Sequence, residues 1–376
     1  MIPLLSGLTK QKSGMVACLR KLVELESPSG NKIALDRLSR HLATEFETLG
    51  GRITFHKQES AGDHLQVDFA GSGKPILMLG HMDTVWDLGT LAAMPFRVAS
   101  GRAYGPGIFD MKAGVVQAIY AIRALRRQPG NLPRAVTVFL VTDEEVGSHS
   151  SRPITQALAK KSAAVLVLEP ASGPKGALKT SRKGVGGYHL RVKGEEAHSG
   201  LDPGKGASAV LELARQLLVI EKFGDRRRGI TVNSGIIHGG TRSNVVAGEA
   251  MAEIDARVST LKDVPYLDKQ FHSLKPFDKR CKLRVSGGIS RPPLERTEGV
   301  VALFKLARRL ARELGWELDE AAVGGGSDGN FTAALGIPTL DGLGAVGDGA
   351  HARHESVVIA ELPRRAALLA RLIESI

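Results

Sequence analysis

Ile76-Leu77-Met78-Leu79-Gly80-His81-Met82-Asp83-Thr84-Val85 is an apolar run that stops at a histidine and an aspartate. The pattern occurs twice more in the first half of the chain. Residues 136–141 run into Thr142-Asp143-Glu144-Glu145, and residues 163–168 run into Glu169-Pro170. Short apolar runs set between helical patterns read as strands buried on both faces, which predicts an α/β fold with a largely parallel sheet. In such sheets ligands bind beyond the carboxyl ends of the strands. One acid at a strand end would be unremarkable. Three ends bearing histidine and acids predict a site.

Between the first two runs, Val115, Ile119, Ile122 and Leu125 recur at helical spacing, so a helix follows Asp110. Taken alone, Asp110 reads as the N-cap of that helix. Glu144 and Glu145 alone would read as a solvated loop, yet an adjacent like-charged pair after an apolar strand is costly without a cation.

The pattern changes near Lys183-Gly184-Val185-Gly186-Gly187. A strand over 188–192 and a helix over 207–223 are followed by strands over 230–237 and 250–258. A helix over 264–274 and a strand over 282–285 complete a strand-helix-strand-strand-helix-strand order, that of a ferredoxin-like α+β domain. Gly287-Gly288-Ile289-Ser290-Arg291-Pro292-Pro293 then has the composition of a hinge. Beyond it, a helix over 300–314 and a strand over 337–340 resume the α/β pattern. The expected organisation is one discontinuous domain, 1–183 and 293–376, with 184–292 inserted.

Composition narrows the function. Cys18 and Cys281 are the only cysteines, too few for a thiolate zinc site or a disulfide framework, so any metal must be held by histidine and carboxylate. No apolar run approaches the roughly 18–20 residues of a membrane span. The N-terminal residues lack the order of a signal peptide, so the expectation is a cytoplasmic protein without a membrane partner. The 51 basic and 39 acidic residues leave a net charge of +12. Clusters such as Arg308, Arg309 and Arg312 read as solvated helix faces, and no nucleic-acid partner is expected.

Together, the segments 80–85, 105–112, 142–147 and 168–170 resemble the M20 metallopeptidase family, most closely its glutamate carboxypeptidase branch. The resemblance spans the chain and implies a zinc-dependent hydrolase of a small peptide or N-acyl amino acid. It implies two Zn²⁺ per subunit, with Co²⁺ or Mn²⁺ able to use the same ligands. Asp110 would bridge the ions. His81 and Glu169 would complete one site, Glu145 and His351 the other. His351 is favoured over His354 because the wider family places its ligand four residues before a glutamate, here Glu355; the glutamate carboxypeptidase branch has a slightly longer spacing. Asp83 would orient His81, and a cis peptide is expected at Asp110–Met111. Glu144 would be the general base, and His198 would stabilise the oxyanion from the partner subunit of a homodimer formed through the inserted domain. Asn244, Arg257 and Arg291 would recognise the substrate's carboxylate end, and Gly324-Gly325-Gly326-Ser327-Asp328 would line the pocket. The same scaffold also suits N-acyl-amino-acid deacylases and dipeptidases. A degenerate ligand set would mark a non-catalytic binding protein, but all five ligands and the base are present here.

Overall fold

The three apolar runs are neighbouring strands. The computed structural model describes residues 3–126 and 132–376. In chain order its principal strands are β1 (Arg52–His56), β2 (His64–Phe69), β3 (Ile76–His81), β4 (Val136–Val141), β5 (Ala164–Val167), β6 (Gly184–Lys193), β7 (Thr231–Gly239), β8 (Glu249–Val258), β9 (Lys282–Arg291) and β10 (Thr339–Leu340). The helices needed below are α1 (Ala113–Arg126), α2 (Ala209–Ile220), α3 (Asp263–His272) and α4 (Glu298–Glu313). Two compact units result: Met1–Ser181 with Arg296–Val323 and Ser327–Ile376, and Arg182–Glu295 with Gly324–Gly326.

The first unit is built on a six-stranded sheet of order β1-β2-β4-β3-β5-β10. From β4 to β10 the strands are parallel, and every residue of β3, β4 and β5 is buried. β1 and β2 add an antiparallel edge that the apolar-run signal does not reveal, because β2 mixes buried and half-buried residues and β1 exposed and half-buried ones. The parallel strands end together, so Met82 donates to the Val141 carbonyl (2.8 Å) and Leu168 to the Leu79 carbonyl (2.9 Å). That alignment brings three acid- or histidine-bearing ends to one rim of the sheet.

The second unit is a four-stranded antiparallel sheet, β7-β8-β6-β9, with α2 and α3 joining its strands. Its core packs Tyr188, Leu190 and Val192 with Leu213, Ile220, Leu267 and Phe271. The Tyr188 ring stacks on Phe271 with centroids 3.7 Å apart. This is the ferredoxin-like order.

The glycine-rich segment expected as a hinge is strand. Gly287 and Gly288 are not a joint; β9 continues through them to Arg291, with a bulge between Ile289 and Arg291. The glycine-rich start of β6 is likewise strand from Gly184 onward. A Cβ on Gly186 would lie 2.1 Å from the Gly288 carbonyl oxygen, and one on Gly287 would lie 2.1 Å from that of Gly187. The two strands meet too closely for side chains, so these glycines mark backbone approach rather than flexibility. Gly287 also has φ +99°, open to glycine but strained for other residues. Gly287→Ala is therefore expected to destabilise the second unit by about 2–4 kcal/mol. A lowered urea midpoint would show it; an unchanged midpoint would mean the strands can part at no cost.

Candidate metal centre

His81 is the last residue of β3 and is buried. Its Nδ1 lies 2.9 Å from the main-chain oxygen of Asp83, which fixes a proton on that nitrogen and leaves Nε2 to face the acids. Nε2 stands 3.2 Å from Asp110 Oδ1 and 3.4 Å from Glu169 Oε1. On the other side of Asp110, Oδ2 lies 3.5 Å from His351 Nε2, and that nitrogen is 3.2 Å from the Glu145 carboxylate. Two groups of three potential ligands therefore share Asp110, each with its atoms within 4.8 Å of one another. His354 lies apart from both groups, its Nε2 3.9 Å from Asp348.

Local structure explains the convergence. Asp110 and Met111 are joined by a cis peptide, and Asp110 (φ −113°, ψ 95°) is not a helix cap; regular helix begins at Ala113. A Cβ on Gly114 would lie 2.1 Å from the Leu168 carbonyl, so glycine lets the start of α1 sit against the end of β5, beside Glu169. Glu144 and Glu145 sit on a turn pinned from two sides. Asp83 accepts from the Glu144 N–H (3.2 Å) and the Glu145 N–H (3.1 Å). Buried Asp143 accepts from the Ser150 N–H and hydroxyl, both at 2.7 Å. Asp83 is thus closer to the glutamate turn than its carboxylate is to His81, where the separation is 3.6 Å.

Sequence reasoning missed three buried residues here. Glu355 accepts hydrogen bonds from the loop that carries Asp110. Lys112 anchors the same loop through the Leu25 carbonyl (2.9 Å), and burial pushes its ammonium down to about 7. Arg365 donates to the carbonyls of Gly344, Gly176 and Gly342, while the Gly344 N–H holds the Glu169 carbonyl. In sequence Glu355 is only a spacing landmark, Lys112 only the end of the 105–112 segment and Arg365 an ordinary helix residue; burial is what marks all three.

His198, Asn244, Arg257 and Arg291 belong to the second unit. The loops bearing the first two are paired: Ser199 donates to the Asn244 carbonyl (3.0 Å), and Val246 to that of Ala197 (2.9 Å). His198 is exposed, and its Nδ1 accepts from the N–H groups of Gly200 (3.1 Å) and Leu201 (3.2 Å). The neutral ring must then carry its proton on Nε2. Arg257 grips both oxygens of Asp255 and donates to the Gly324 carbonyl (2.8 Å). Buried Arg291 lies under the same triplet, its Cδ 2.7 Å from where a Gly326 Cβ would be.

Electrostatics shows what the first-unit cluster needs. Burial works against the charge of Asp110, but hydrogen bonds from His351 and His81 hold its carboxyl below the usual range. Burial pushes Glu145 up against its hydrogen bond from His351. His81, whose burial disfavours charge, is nonetheless raised well above an ordinary histidine by Asp110, Asp83 and Glu169. Hydrogen bonds to Asp110 and Glu145 raise His351 to about 10. The carboxylates thus draw protons onto two imidazoles in place of another cation. Three carboxylates and two imidazoles are a donor set suited to divalent zinc, manganese or cobalt. An ion must displace those protons, since only a neutral imidazole has a lone pair to give. Zinc binding near pH 7 is therefore expected to release roughly two protons per chain, and affinity should rise with pH until both histidines have titrated. Calorimetry in buffers of different ionisation enthalpy reads the count. Release of none would place the ions elsewhere.

Comparison with known proteins agrees with this chemistry. Residues 77–375 match the profile of peptidase family M20/M25/M40. Carboxypeptidase G2 of Pseudomonas sp. (strain RS-16) is 31% identical over 98% of this chain and 91% of its own length. Succinyl-diaminopimelate desuccinylase of Stenotrophomonas maltophilia (strain R551-3) is 27% identical over 81% of this chain and 84% of its own. Among solved structures, the M20 family metallo-carboxypeptidase Sso-CP2 from Sulfolobus solfataricus superposes with TM-score 0.76 at 17% identity, covering 96% of this chain and 98% of that one.

Proposed function

The chain belongs to peptidase family M20/M25/M40, metallopeptidase hydrolases that include carboxypeptidases, and on that premise we propose a specific activity for it. It hydrolyses an amide bond to release a C-terminal amino acid, glutamate foremost, from a small peptide or N-acyl amino acid. His81, Asp110 and Glu169 would hold one zinc ion and Asp110, Glu145 and His351 a second. The observation that carries the reading is the sharing of Asp110 between two ligand groups.

Bound divalent ions supply Lewis acidity that polarises a carbonyl and eases ionisation of water. The protein's residues do the rest. Glu144 takes a proton from the attacking water as its oxygen bonds to the carbonyl carbon, and returns it to the amide nitrogen as the C–N bond breaks. The backbone N–H of Glu144 is held by Asp83, so the base and the neighbouring Glu145 are placed by one anchor. His198, with its proton on Nε2, suits donation to the developing oxyanion, and the family resemblance assigns it from a partner subunit. Asn244, Arg257 and Arg291 would bind the carboxylate of the departing amino acid, Arg257 sharing its guanidinium with Asp255.

Homodimerisation through the second unit has support from its surface. α2 exposes Val210, Leu211 and Leu218, and β7, an edge strand, exposes Ile236 and Ile237. An apolar edge strand left open invites pairing. No helix among the described residues is long and apolar enough to cross a membrane.

Deacylation of N-acyl amino acids is a second reading, favoured by the desuccinylase relative. A panel of N-acyl amino acids and dipeptides separates the two: glutamate release that a chelator abolishes supports the first. Glu144→Ala should lower kcat by about 10³-fold or more while metal content stays near normal. Loss of both would make Glu144 a ligand. Arg291→Lys should raise KM for glutamate-ending substrates by about tenfold with a smaller change in kcat, and an unchanged KM would remove Arg291 from recognition. Light scattering should give twice the 40.0 kDa chain mass, falling to one chain in a Leu218→Glu, Ile237→Lys double variant.

A further inference from the structure

Glu355 is fully buried, with 0% of its surface exposed, and its carboxylate meets four N–H donors. Oε1 accepts from the backbone of Phe109 (2.8 Å) and Asp110 (3.0 Å). Oε2 accepts from the backbone of Gly107 (2.9 Å) and from the indole Nε1–H of Trp86 (2.8 Å). These donors come from two separate segments, and Glu355 itself lies on a third. Trp86 follows His81 by five residues, the stretch 107–110 ends in Asp110, and Glu355 follows His351 by four. One side chain therefore joins the three segments that bear both histidines and the shared aspartate. Glu145 and Glu169 are held by other anchors, Asp83 and the Gly344 N–H.

The chemistry of the group matters as well as its place. An ionised carboxylate is an acceptor with about four lone-pair positions and no hydrogen of its own, so it can take four donors at once. N–H bonds to a charged acceptor are also stronger than those to a neutral one. A glutamine of the same length has one acceptor oxygen. Its NH₂ would face either Phe109 and Asp110 or Gly107 and Trp86, donor against donor.

We propose that Glu355 is a positioning residue whose carboxylate sets the mutual register of the segments carrying His81, Asp110 and His351. It does not touch the ions or substrate; it acts through the backbone of Asp110 and the loop after His81. The proposal rests on reading those three residues as metal ligands.

The test compares wild type with Glu355→Gln and Trp86→Phe. Metal affinity is measured by competition with a chromophoric chelator, the cobalt-loaded protein by its visible absorption, and turnover on the best substrate of the panel. Glu355→Gln is expected to bind metal about 10–100-fold more weakly, with an altered cobalt spectrum and kcat reduced about tenfold or more. KM should change by less than about threefold, since no substrate contact is lost. Trp86→Phe removes one donor of four and should weaken metal binding by roughly two- to fivefold. A Glu355→Gln protein that melts earlier but keeps wild-type metal affinity and cobalt spectrum overturns the proposal, since the glutamate would then serve stability alone. Should that variant not fold, wild-type affinity and spectrum in Trp86→Phe overturn it equally. A wild-type protein that binds no metal removes the functional reading and this proposal together. Two bound ions with indifferent variants remove only the proposal.

Discussion

Three carboxylates, those of Asp110, Glu145 and Glu169, are held close together in a largely buried place, with two imidazoles as their nearest partners. Like charges in such surroundings repel strongly, and desolvation adds to the cost. The arrangement is stable only with positive charge among them. Hydrogen bonds to these acids raise both His81 and His351, so protons on the imidazoles supply it, and a divalent ion would supply it in their place. Much of the first unit can be understood as the framework that keeps these acids from separating.

That framework is made of backbone hydrogen bonds to buried carboxylates as well as contacts among the candidate ligands themselves. Asp83 holds the Glu144–Glu145 turn, Asp143 holds the turn's far side, and Glu355 holds the loop of Asp110. Each anchor fixes main chain, so a ligand side chain has few torsions left to vary. The parallel strands contribute the coarse placement by ending level with one another, and Gly114 allows α1 to begin against the β5 end.

How much of this could be read from residues alone depended on the kind of signal. Continuous apolar runs ending in His81, Glu144–Glu145 and Glu169 are unambiguous, because burial on both faces leaves no room for polar residues until the strand stops. The strand and helix order of the second unit was legible for a different reason: β6 and β8 alternate buried with exposed or half-buried residues, the period of two that marks a sheet covered on one face. Glycine misled: Gly287-Gly288 resembles a hinge in sequence, whereas the same absence of a Cβ serves close strand contact here. The antiparallel edge was hidden by the mixed burial of β2. Asp110 alone could not be told from a helix cap, since both roles place an acid just before a helix; the resemblance to a known family decided it. Glu355 entered the sequence reading only as a spacing landmark for His351; its anchoring role stayed hidden because its main-chain donors lie 245–248 residues away and its indole donor 269. No local pattern reports such contacts.

The central claim is that Asp110 belongs to two metal sites at once, and zinc stoichiometry of wild type and Asp110→Asn tests it most directly. The wild-type chain should bind two ions, and the asparagine variant should lose tight binding at both positions, because one side chain serves each. Retention of one ion at wild-type affinity in Asp110→Asn, or a wild-type protein that takes up only one, would contradict a shared aspartate.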